Sequence, residues 1–153
     1  MSVRRFADIA SLAEAIGEQV GHSSWHEVDQ ARVDAFAAAT GDRQWIHVDE
    51  RRAAEGPFGG TIAHGFLTLS LVPMLQWEVF DIEGTAMQVN YGAEKLRFPA
   101  PVRVGSKVRA GFELLSLEAA AGGHRLTVRG TVEAEGVVKP VCIVDMVTYL
   151  VAV

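Results

Sequence analysis

An α+β fold, with an antiparallel β-sheet wrapped around a central apolar α-helix, is predicted by three features of the sequence. Residues 62–77 carry no Asp, Glu, Lys or Arg. The second half of the chain changes to strand-like patterning rich in Val, Leu, Thr and aromatics, punctuated by Gly92, Gly105, Gly122, Gly123 and Gly136. Gly122-Gly123 falls between two such stretches and reads as a hairpin turn.

Taken in order, residues 6–16 read as a short helix that ends at Gly17. Residues 24–28 read as a first strand. Asp29 is suited to the N-cap of a helix with Val33, Phe36 and Ala37 on one face. Gly41 then suits the left-handed position after that helix. Residues 62–77 are too short, and too interrupted by His64, Gly65 and Pro73, to span a bilayer. A helix apolar on every side must instead be enclosed on nearly all sides, with Pro73 bending it near its end. Strands follow at 86–91, 102–117, 125–135 and 137–151. Near-alternation in Leu126-Thr127-Val128-Arg129-Gly130-Thr131-Val132-Glu133 implies a sheet with one wet face. One apolar helix followed by a long antiparallel meander is the hot dog architecture. The expectation is a single domain over 1–153.

The chain has 153 residues, 49% of them hydrophobic, which suits one domain with a sizeable core and excludes disorder. The net charge of −5 and the scattered basic residues exclude a nucleic-acid surface. Cys142 is the sole cysteine, so there is no internal disulfide and no thiolate metal cluster; its apolar neighbours mark it as a buried structural thiol. Arg4 and Arg5 precede Phe6-Ala7-Asp8 rather than an apolar run, and Leu150-Val151-Ala152-Val153 is no peroxisomal address. A cytoplasmic location is the expectation, with no membrane partner.

Two segments can carry chemistry. In Gly41-Asp42-Arg43-Gln44-Trp45-Ile46-His47, a turn after Gly41 can join Asp42 to His47, although on a helix their spacing would separate them by about 140°. A carboxylate beside an imidazole offers two proton-transfer groups near neutral pH. A helix-ending loop with solvated Asp and His is the plainer alternative. The second segment, Gly56-Pro57-Phe58-Gly59-Gly60, leads through Thr61-Ile62-Ala63 to His64-Gly65. If the apolar helix begins near Gly65, its first N–H groups lack helical partners and lie at the positive end of the dipole. They would stabilise an enolate-like oxygen. Alternatively, Gly65 only permits close packing, and His64 is a structural hydrogen-bonding residue. A metal set of His47, Asp49 and Glu50 lacks a further His or Cys, and His22 and His26 read as surface residues. The glycine-rich loop lacks the Lys-Ser/Thr ending of a phosphate loop. Neither a metal nor an organic cofactor is expected.

These motifs resemble the MaoC-like family, which includes (R)-specific enoyl-CoA hydratases and carries Gly-Asp-x-Asn-Pro-x-His before a His-Gly step. Gly41-Asp42, His47 and His64-Gly65 match, as does Lys95-Leu96-Arg97-Phe98-Pro99-Ala100-Pro101-Val102-Arg103-Val104-Gly105, and the likeness runs from about Ser24 onward. Gln44-Trp45 replaces Asn-Pro, and with Asn90-Tyr91-Gly92 is similar to a subgroup related to nodulation protein N. Some hydratases have a serine where Pro73 stands here, and Ser70, one turn earlier, cannot simply inherit its role.

The resemblance implies a homodimer and reversible hydration of trans-2-enoyl thioesters, on CoA or acyl carrier protein, to (R)-3-hydroxyacyl thioesters. Asp42 and His47 would hold the water, with Asp42 the favoured base and the Gly65 N–H on the thioester oxygen. Gln44, Asn90 and His64 are further substrate-binding candidates. The rivals are an acyl-CoA thioesterase, disfavoured because residues 65–77 lack a carboxylate, and a non-catalytic acyl-binding or assembly subunit of a hot dog dimer.

Overall fold

The computed structural model describes residues 2–153. The chain opens on β1 (Arg4–Phe6), and α1 (Ile9–Glu14) follows behind an Asp8 N-cap whose side chain accepts from the Ser11 N–H. The helix expected over 6–16 is therefore shorter. Phe6 is taken by a parallel pairing of β1 with β4 (Phe80–Ile82), and its ring meets Phe80 edge-on. β2 (Gln19–His22) and β3 (His26–Glu27) come next, so the strand expected at 24–28 is neither first nor as long. Asp29 caps α2 (Gln30–Thr40) as expected, accepting from the Arg32 N–H, and Val33 and Ala37 are buried beneath it. Two short helices, α3 (Trp45–Val48) and α4 (Glu50–Ala54), precede the apolar helix α5 (Gly65–Trp77).

Four long strands complete the chain: β5 (Thr85–Arg97), β6 (Lys107–Ala120), β7 (Gly123–Ala134) and β8 (Cys142–Ala152). Among the described residues they form an antiparallel sheet in the order β2-β6-β7-β8-β5, with β3 also paired to β6. Gly122, at φ 77°, turns the β6–β7 hairpin, as its sequence indicates. β7 alternates buried and half-buried residues along its length, placing Leu126, Val128 and Val132 toward α5. Leu67, Val72 and Leu75 of α5 meet them in one core with Val108, Phe112, Leu114 and Leu150. This is the hot dog fold. Cys142 lies in that core, where burial pushes its thiol up to about 11. No helix among the described residues is long and apolar enough to cross a membrane.

Two further features depart from expectation. β5 continues through Gly92 to Arg97, absorbing irregularities at Asn90/Gly92 and Glu94/Arg97 that let one strand follow the curved sheet. More consequentially, α5 is not enclosed on nearly all sides. Phe66 and Trp77 are 63% and 64% exposed, beside an edge strand whose Met87, Val89 and Tyr91 also face outward. An apolar helix needs a covering, but one chain's sheet supplies only part of it.

Candidate active site

The left-handed Gly41 (φ 81°) ends α2 and sends residues 41–44 across the surface into the single turn of α3. That turn is fastened on two sides. The Ile62 N–H donates to the Ile46 carbonyl at 3.0 Å, tying it to the segment that leads into α5. From α2, Gln30 Nε2 donates to the His47 carbonyl at 2.8 Å, while its Oε1 accepts from Thr61 Oγ1 at 2.6 Å. Trp45 anchors the outer side, with the Arg52 guanidinium 4.2 Å over its ring.

The result brings together what a helix would hold apart. One polar side-chain atom from each of Asp42, His47 and His64 lies within 4.8 Å of the others. The rings of His47 and His64 are 7% and 2% exposed, whereas Asp42 is exposed. His47 Nδ1 is 2.7 Å from the Ile62 carbonyl. A carbonyl oxygen only accepts, so Nδ1 carries the hydrogen and Nε2 keeps a bare lone pair. Burial holds the His47 imidazole below its ordinary value of 6.5, with repulsion from His64 adding to it; the Ile62 bond and the Asp42 charge oppose them. His47 is therefore neutral at neutral pH, with a basic nitrogen available.

Two imidazoles and a carboxylate are also metal-ligand types, but this pair of rings is stacked, with centroids 3.8 Å apart and planes inclined by 23°. A metal sits on the in-plane lone pair, about 2.0–2.1 Å from each nitrogen. Planes so nearly parallel do not converge on one ion, and the arrangement suits a shared water. Asp49 stands apart from the pair, capping α4 through the Arg52 N–H.

His64 and Gly65 stand at the start of α5. His64 is the N-cap residue without a side-chain cap bond, and among the described residues the Gly65 and Phe66 N–H groups have no protein acceptor. They lie at the positive end of a 13-residue helix. A cavity of about 300 Å³ adjoins them, with His47, Gly65 and Thr68 at its polar side and Phe58, Phe98, Pro101 and Val141 among its apolar walls. The Phe98 ring packs so closely on Gly65 that a Cβ there would fall 2.9 Å from it.

Of the other candidates, Gln44 is exposed, N-capping α3 and donating its N–H to Asp42 Oδ1 at 3.4 Å. Asn90 is not brought to the pair; it lines separate cavities beside Pro73 and Met146. Gln30, Thr61, Ile62 and Phe98 hold or wall the site without having been singled out by sequence. Phe98 lay within the family-like segment, which is the signal that pointed near it.

Residues 11–137 match the family described as MaoC like domain. The chain is 51% identical over 151 residues to a Mycobacterium tuberculosis protein named 3-hydroxyacyl-thioester dehydratase Z, covering 98% of this chain and 100% of that one. It is 41% identical to nodulation protein N of Rhizobium leguminosarum bv. viciae, covering 93% and 90% respectively. Its structure resembles the (R)-hydratase of A. caviae involved in PHA biosynthesis, with TM-score 0.70 and 26% identity, over 87% of this chain and 96% of that one. With its fold, its paired Asp42 and His47 and these matches, the chain belongs to the MaoC-like dehydratase family and is an enzyme of the hydro-lyase class.

Proposed function

We propose that this enzyme is an (R)-specific enoyl-CoA hydratase, adding water reversibly and syn to trans-2-enoyl thioesters to give (R)-3-hydroxyacyl thioesters. The observation that carries the reading is the bare Nε2 of buried, neutral His47, placed beside Asp42 and the free N–H groups opening α5. A water held between Nε2 and the Asp42 carboxylate attacks C3 of the enoyl thioester. His47 takes its proton, the C2–C3 π pair moves into the enolate, and the Gly65 N–H stabilises the oxyanion. The imidazolium then returns a proton to C2. Sequence favoured Asp42 as base; the Ile62 bond, which fixes the hydrogen on Nδ1, favours His47, with Asp42 orienting the water and stabilising the imidazolium.

The apolar walls of the cavity suit an acyl chain, and the M. tuberculosis relative's name places a 3-hydroxyacyl thioester with a similar protein. A thioesterase reading would want a free carboxylate on α5. Glu78, just beyond it, is committed: burial alone would raise its carboxyl, but hydrogen bonds from Ser24 and His26 hold it below the usual range. Complete retention of Asp42, His47 and Gly65 disfavours a non-catalytic subunit. Assaying hydration across enoyl-CoA and enoyl-acyl carrier protein chain lengths tests the proposal. Turnover to the (R) product supports it, while thioester hydrolysis or no turnover on any of them contradicts it.

The enzyme acts as a homodimer in this reading. The unpaired edge of β5 and the exposed Phe66 and Trp77 of α5, a helix that borders that strand at Asn90 and Tyr91, leave apolar surface that a second copy would cover. Light scattering is expected to give twice the 16.5 kDa chain mass at micromolar concentration. A stable monomer would contradict it.

A further inference from the structure

We propose that His64 is a positioning residue that holds Asp42 and His47 in register across the reactive water. The inference rests on the reading that these two residues carry the proton transfers. His64 Nε2 lies 2.9 Å from the backbone carbonyl of Asp42. It must therefore be the protonated nitrogen of the neutral ring. The same ring stacks on His47 and leans against Phe36 of α2, with centroids 4.8 Å apart and planes inclined by 55°. One side chain thus joins the backbone of the carboxylate-bearing residue to the face of the base. Residues 41–44 are exposed throughout, and the His64 bond ties the Asp42 peptide to the buried side of the site.

A purely packing role would be met by an apolar ring. Here His64 Nδ1 is instead buried with no hydrogen-bond partner. An unsatisfied buried acceptor is unfavourable, and its persistence calls for a reason. The bond from Nε2 to Asp42 supplies it: only a ring with a donor on that edge reaches the carbonyl while stacking on His47. The contact also acts on charge: repulsion from His64 adds to the burial that holds the His47 imidazole below its ordinary value. The titratable groups facing them are Asp42 and each other. Asp34 of α2 lies behind Gln30, which donates to it at 2.9 Å, and the segments before β8 and after β5 present Val141, Phe98 and Pro101 to the cavity.

The test compares wild type with His64→Phe, which keeps the ring but not the donor, and His64→Gln, which keeps a donor but not the stack. His64→Phe is expected to lower kcat about tenfold, the scale of one net hydrogen bond, with little change in KM. Removing the repulsion that lowers the His47 pKa should also move the acid limb of the rate profile to higher pH. His64→Gln should recover part of kcat. Long-range proton–nitrogen spectra of the wild type should show His64 protonated at Nε2 and His47 at Nδ1. In His64→Phe, the His47 titration midpoint should rise. Those spectra do not depend on turnover, so they judge His64 even if the hydratase reading fails on Asp42 and His47 variants. An unchanged kcat with an unmoved acid limb in folded His64→Phe would overturn the proposal. So would a His64 hydrogen on Nδ1.

Discussion

His47→Gln is expected to lower hydration of crotonyl-CoA by about a hundred- to ten-thousandfold, the usual contribution of a positioned acid–base group. Glutamine is close in volume and can still offer an N–H to the Ile62 carbonyl, so the fold should survive. What it lacks is the basic nitrogen that the Ile62 bond leaves bare on histidine. Asp42→Asn should cost activity comparably, because an amide keeps an oxygen for the Gln44 N–H but loses the charge facing the imidazole. Combining the two should cost little more than either alone, since one water serves both. The pH dependence follows from the same burial. His47 must be neutral to act as base, and its pKa is held below 6.5. Activity should therefore persist below pH 6.5 and fall only as pH drops through that lowered value. Near-wild-type hydration by both single variants would remove the basis for the mechanism.

Gly65→Ala has the other large expected effect. Alanine keeps the backbone N–H, but its methyl would hold the oxyanion away from it, and losing one such contact typically costs about 2.7–4 kcal/mol, roughly a hundred- to a thousandfold in rate. From sequence, the added methyl would intrude on the thioester oxygen or, in the alternative reading of Gly65, only on close packing. In the structure it would also meet Phe98, 2.9 Å away, so lost packing and lost catalysis arrive together. Adding Phe98→Ala to Gly65→Ala separates them by vacating the ring's place. The double variant is expected to regain room for the methyl but not its rate, with kcat reduced more than ground-state binding weakens. Phe98→Ala alone should retain most of its kcat. A double variant with kcat restored to the level of Phe98→Ala would assign Gly65 to packing alone. Melting temperature and kcat from the same preparations decide the matter.

Much of this site was legible because its signals are local. Asp29 and Gly41 announce the ends of α2 through capping and a left-handed φ. The charge-free run at 62–77, with its His64-Gly65 step, places α5, and the pairing of Asp42 with His47 needs only a turn between them. Other parts depend on distant chain. Arg4–Phe6 is too short to show a strand period, and its extended form comes from pairing with Phe80–Ile82. The roles of Gln30 and Thr61 arise from a bond between side chains 31 residues apart. Ile62 contributes a carbonyl, which no side-chain pattern reports, yet that carbonyl selects the His47 tautomer. Asn90 fell within a family-like triplet, but β5 carries it to other cavities. The exposed face of α5 was illegible for a different reason. An apolar residue has the same sequence signature whether its own sheet or a second molecule covers it.

The central claim is that Asp42 and His47 deliver water and proton from one face of the double bond. Hydrating crotonyl-CoA in deuterium oxide, with stereochemical analysis of the early product before back-exchange, tests it most directly. The account predicts one diastereomer, with the (R) hydroxyl at C3 and the deuterium at C2 added to the same face. Anti addition, or equal amounts of both C2 epimers at early times, would contradict it.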